Sequence, residues 1–83
     1  METDREQWPQ ERFDQAVLDR LEELKNSGRY SVFSRDFLGV VEKSGWSKTS
    51  VCTRLKRFAV DGLVTEAHSG EWIIVKYHEF WWR

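Results

Sequence analysis

Five cations, Lys43, Lys48, Arg54, Lys56 and Arg57, fall within residues 43–57 with no aspartate or glutamate among them. Interleaved with them are Ser47, Thr49, Ser50 and Thr53, short side chains that donate and accept hydrogen bonds. Long cations beside short hydroxyls suit one kind of recognition, in which phosphate is neutralised while flat polar edges are read by hydrogen bonds. A solvated helix face has the same composition, so the pattern by itself leaves both readings open. Other chemistry is poorly represented. There is no Gly-rich phosphate loop, no CxxC pair, no HExxH and no repeated unit. Cys52, His68 and His78 match no common zinc spacing, and Cys52 falls on the apolar side of its segment. We therefore expect no metal, no cofactor, no small-molecule ligand and no catalysis.

The chain has 83 residues, near the size at which one hydrophobic core only just suffices. Its single cysteine can form no internal disulfide, and the start, METDREQWPQER, lacks the apolar stretch of a signal peptide. No apolar run is long enough to span a bilayer. The expectation is a cytoplasmic protein that does not enter a membrane.

Periodicity divides the chain. Between Gln10 and Asn26, Phe13, Ala16, Val17, Leu21 and Leu24 recur at helical spacing, with Pro9 before the segment and Gly28 after it. Residues 29–33, RYSVF, predict a short strand. Ser34 is placed to cap a second helix that carries Phe37, Leu38, Val40 and Val41 and stops at Ser44 and Gly45. Ser47 is placed to cap a third, over residues 48–61, with Val51, Leu55 and Phe58 inward, joined by Cys52 and Ala59, and Lys48, Thr49, Ser50, Thr53, Arg54, Lys56 and Arg57 outward. After Gly62, residues 63–66 and 72–77 predict an antiparallel hairpin turning at His68, Ser69 and Gly70. The fold class expected is α+β: a three-helix bundle with a short first strand and a C-terminal hairpin. Its parts are an N-terminal arm over residues 1–9, a domain over 10–78 and an aromatic tail over 79–83.

That element order, with the run SKTSVCTRLKRFAVDGLV, resembles the winged helix-turn-helix domains of transcription regulators such as the MarR and PadR groups. The matching positions are Ser47, Thr49 to Val51, Leu55, Phe58 and Gly62 to Val64, and the resemblance spans residues 13–77. It implies that the third helix lies in the major groove of double-stranded DNA. Arg54 would then pair with guanine, whose O6 and N7 match its forked guanidinium. Lys43, Lys56 and Arg57 would meet phosphates. The hairpin would be the wing, but Glu66 and Glu71 flank its tip where such regulators often carry cations, leaving His68 as the only candidate there.

The net charge of −1 gives no global attraction to a polyanion. The charge is segregated, however. Within residues 1–24, Glu2, Asp4, Glu6, Glu11, Asp14, Asp19, Glu22 and Glu23 outnumber Arg5, Arg12 and Arg20, which would turn the first helix away from DNA. The stretch KYHEFWWR places Tyr77, Phe80, Trp81 and Trp82 close together, more aromatic surface than a small core readily absorbs. Either Trp8 and the chain itself cover it, or a second copy does, and we expect a homodimer that pairs two half-sites. The rival expectation is a winged helix that binds another protein through these aromatics. A weaker third is single-stranded RNA stacked on them.

Overall fold

The computed structural model describes residues 7–68 and 70–82. The expected positions in 1–6, in Ser69 at the hairpin turn and in Arg83 lie outside the described residues. The described residues form three α-helices and a three-stranded antiparallel sheet. Helix α1 is Gln10–Asn26, β1 is Ser31–Phe33, α2 is Leu38–Ser44, α3 is Lys48–Val60, β2 is Val64–His68 and β3 is Glu71–Ile74. One 3-10 helix, Ser34–Phe37, leads into α2, and another, Glu79–Trp82, follows the sheet. No helix among the described residues is long and apolar enough to cross a membrane.

Helix α1 buries Phe13, Val17, Leu21 and Leu24, the stripe that its periodicity predicts. It stops because Gly28 takes φ +90, a conformation open to glycine. The turned chain satisfies two of the last carbonyls: Gly28 N donates to Lys25 O, and Arg29 N to Leu24 O. Gly62, at φ +86, ends α3 in the same way, with Leu63 N donating to Phe58 O and the Leu63 side chain buried. This turn delivers the chain directly into β2.

The entrance to α2 differs from expectation. Ser34 does not cap it; the segment opens as a 3-10 helix, and Asp36 accepts at 2.8 Å from the Phe33 amide. Arg29 completes the arrangement by donating to both Asp36 carboxylate oxygens, at 3.2 and 3.1 Å. This use of Arg29 helps explain why β1 is shorter than the predicted 29–33.

The strand order is β1-β3-β2. Val32 faces Trp72, and Val64 faces Ile74, so these four form the buried side of the sheet. They pack on Phe13, Val17, Leu21, Leu24, Phe37, Val51, Leu55 and Phe58 of the helices. The Trp72 indole nitrogen is buried with no hydrogen-bond partner among the described residues. A bulge between Glu66 and His68 bends β2 near the hairpin tip. Strand β3 ends at Ile74 instead of running to residue 77, because the Val75 carbonyl is taken by His78 N at 3.1 Å and by the Trp81 indole N–H at 2.9 Å. The chain therefore turns back on itself, and Phe80 and Trp81 pack against the core.

Candidate nucleic-acid interface

Helix α3 is positioned from both ends. Ser47 accepts from Ser50 N at 3.2 Å, the cap expected of it, and the Ser47 and Ser50 hydroxyls lie 3.1 Å apart. In the preceding turn Trp46 stacks on Phe13 of α1 with ring centroids 4.6 Å apart and planes within 7°. Its indole donates to Trp8 O at 2.8 Å, and Trp8 N donates to Ser44 O at 2.8 Å. Ser44, fully buried, also accepts from Trp46 N through its hydroxyl. The turn between α2 and α3 is thus tied to the segment that precedes α1.

On the inward side, Val51, Leu55 and Phe58 are buried, while Cys52 and Ala59 are only half-buried. Lys48, Thr49, Thr53, Lys56 and Arg57 are exposed, as is Ser47. Lys48, Lys56 and Arg57 make no ion pair among the described residues. Thr53 donates its hydroxyl to Thr49 O at 3.0 Å. One exposed apolar residue joins this face: Val60 is 80% exposed. Its spacing of seven from Thr53 marks it as outward-facing in the sequence, a signal the polar pattern obscures.

Arg54 is placed differently from expectation. Its Nη2 donates to Asp14 Oδ2 at 3.0 Å, and its Nε lies 2.7 Å from Oδ1, an ionic contact whose N–H is not aligned as a hydrogen bond. The two side chains are only 20% and 23% exposed. The fork assigned to guanine is occupied by a carboxylate of α1. Asp14 is the residue that sequence reasoning missed, since nothing local to it signals a partner 40 residues away.

Lys43 lies off α3, in the last turn of α2. It lines a groove between α1 and α2 in company with Asp19, Glu23 and Asp36. At the hairpin, the His68 side chain is 81% exposed, and its Nε2 lies 4.0 Å from Glu71 Oε1, while Glu71 accepts a hydrogen bond from the Ser31 hydroxyl. The tip therefore presents Glu66 and His68 to solvent, with Glu71 turned toward β1.

The aromatic candidates divide. Trp8 carries the Arg12 guanidinium 3.9 Å from its ring centroid and is held within the fold. Phe80 and Trp81 are half-buried, edge to face at 5.1 Å, with Lys25 Nζ 5.4 Å from the Trp81 ring. Tyr77 and Trp82 remain open at 75% and 69% exposure. Lys76 Nζ sits 5.0 Å from the Tyr30 ring and 5.1 Å from that of Tyr77. Since the hairpin tip lies at the other end of β3, this aromatic region is at the end of the sheet away from the tip.

Comparison with known proteins finds no matching family model, no matching curated protein and no matching solved structure.

Proposed function

We propose that the chain is a winged-helix domain that binds double-stranded DNA by laying α3 in the major groove, and that it serves in transcription regulation. The observation that carries this reading is the outward face of α3, where Lys48, Lys56 and Arg57 stand exposed, with no acid partner among the described residues, beside Thr49 and Thr53. A helix of this width fits the groove, and cations along its flanks meet the phosphates that border it. The strand order β1-β3-β2, with the hairpin following α3 directly, supports the winged-helix assignment. The half-buried Arg54–Asp14 pair moves the guanidinium from base reading to holding α3 against α1. Glu66 at the hairpin makes the wing a minor contributor.

The test is titration of fluorescently labelled duplex DNA at several salt concentrations, with backbone NMR shifts followed in parallel. Affinity should fall with salt at a logarithmic slope of about −3, roughly 0.9 for each neutralised phosphate. The shifts should gather in residues 48–60. Shifts confined to Tyr30, Tyr77 and Trp82 would instead favour a second reading, a protein-docking surface, which the exposure of those aromatics supports. Through the same surface two copies of the chain could pair and engage two half-sites.

A further inference from the structure

Which base edges α3 would read depends on which of its polar groups are not already bonded within the fold. This rests on the DNA-binding reading above. Of the polar groups near the start of the helix, Lys48 is exposed but lies about 100° around the helix from Thr49, and Ser47 and Ser50 are bonded to one another and to the helix cap. Arg54 is held by Asp14. The Thr53 hydroxyl gives its proton to Thr49 O, so its donor is spent within the helix, while the residue itself stays exposed with its Cγ2 methyl available for contact. Thr49 offers a methyl and a hydroxyl, and Val60 offers methyls alone.

At 100° per residue, Thr49, Thr53 and Val60 fall on one narrow stripe along α3, with Lys56 on one flank and Arg57 on the other. The flanking cations are thereby set toward the two phosphate backbones that border the groove. The stripe between them is set toward the base edges. It carries methyl groups where a guanine-reading surface would carry a free fork or an amide. In the major groove one base alone presents a methyl group, the C5-methyl of thymine, and apolar contact with it is the recognition open to the methyls of this stripe, beside the Thr49 hydroxyl, which can bond any base edge.

We propose that α3 selects thymine-bearing sites by contact between the methyls of Thr49, Thr53 and Val60 and thymine C5-methyl groups, rather than guanine-bearing sites by an arginine fork.

The experiment selects duplexes from a random library with the full chain. Each thymine in the recovered site is then replaced by deoxyuridine, which removes the methyl and keeps the base pair. The recovered site should carry thymines at positions whose replacement weakens binding about threefold to fourfold each, the worth of one buried methyl-sized group. Thr53→Ser, which deletes the presented methyl and keeps the hydroxyl, should bind the thymine and deoxyuridine duplexes equally at one of these positions. A recovered site rich in guanine, insensitive to deoxyuridine and dependent on Arg57 or Arg54, would overturn the inference while leaving DNA binding intact. Absence of salt-dependent binding to any duplex would overturn both.

Discussion

The carboxylate of Asp14 in α1 holds the guanidinium of Arg54 in α3, with Oδ2 3.0 Å from Nη2, across a gap of 40 residues in sequence. The pair is largely withdrawn from solvent, so it acts as a brace between the two helices and removes one cation from the exposed face.

Releasing that brace should have opposite effects on stability and on binding. Asp14→Asn leaves the Arg54 charge half-buried and unpaired, which should cost about 1 to 2 kcal/mol of unfolding free energy by chemical denaturation. The freed guanidinium should at the same time steepen the salt dependence of duplex binding by about one phosphate. Arg54→Ala should lower stability by a similar amount with little change in base preference. Loss of base preference in Arg54→Ala without loss of stability would show that the side chain leaves Asp14 to read DNA.

The free cations should behave in the reverse manner. Lys56→Ala and Arg57→Ala remove exposed charges that make no ion pair among the described residues, so each should change stability by no more than about 0.5 kcal/mol. Each should reduce the salt slope of DNA binding by about 0.9, and the loss should be the same on every sequence. Anisotropy titrations at several salt concentrations measure both quantities, and unaltered slopes would place the interface elsewhere.

Asp36 should impose a pH dependence on folding. Burial pushes its carboxyl up, but the hydrogen bond from Arg29, the Phe33 amide and the charges of Arg29 and Arg35 outweigh this and hold it below the usual value of 3.8. A group whose pKa is depressed by folding stabilises the native state above its unfolded value, and that stability is lost as pH falls through the folded value. Asp36→Asn should therefore be less stable than the parent at pH 6, by about 1 kcal/mol for the altered cap. The difference should shrink toward pH 3, because only the parent loses this contribution on acidification. Urea denaturation of both proteins at the two pH values gives the comparison. A difference that grew on acidification would contradict the assignment.

The C-terminal aromatics should depend on one histidine. His78 accepts from Phe80 N through Nδ1 at 2.9 Å, and its Nε2 lies 3.1 Å from Asp61 O, partners that assign the proton to Nε2. It thus ties the second 3-10 helix to the end of α3. His78→Ala should loosen that helix, with a red shift of Trp81 emission and a loss of about 1 to 2 kcal/mol in stability. Emission from the other tryptophans is separated by repeating the measurement in a Trp81→Phe background, where the shift should vanish. An unshifted spectrum in the original background would mean that the packing of Trp81 alone holds the tail.

Much of the architecture is legible because it is specified locally. The α1 stripe from Phe13 to Leu24, the Ser47 cap and the glycines at 28, 45 and 62 each act within a turn of their own position, and all of them appear in the fold. The entrance to α2 was misread because both Ser34 and Asp36 can cap, and Arg29 decides in favour of Asp36. The tail is legible only as a choice between self-coverage and a second copy, because the packing of Phe80 and Trp81 depends on Val75 accepting from the Trp81 indole, a contact between segments whose meeting no periodicity describes. The candidate interface was legible in its charges and not in their availability. Among the described residues Lys56 and Arg57 make no ion pair, whereas Arg54 is held by Asp14 and Lys43, though exposed, borders the groove between α1 and α2.

Trp8 and the turn at Trp46 share two hydrogen bonds, one running in each direction between the segment before α1 and the junction of α2 and α3. In mechanical terms this makes the start of the described chain a lever on α3. A pull applied upstream of Trp8 loads the bond to Ser44 O and the Trp46 indole before it reaches the hydrophobic interior. The Trp46 ring, stacked on the buried Phe13 of α1, immediately precedes Ser47, the cap of α3. Whatever is attached ahead of Trp8, whether a bulky fusion or an anchoring surface, therefore sits beside the turn that sets the start of α3, the helix proposed to meet DNA.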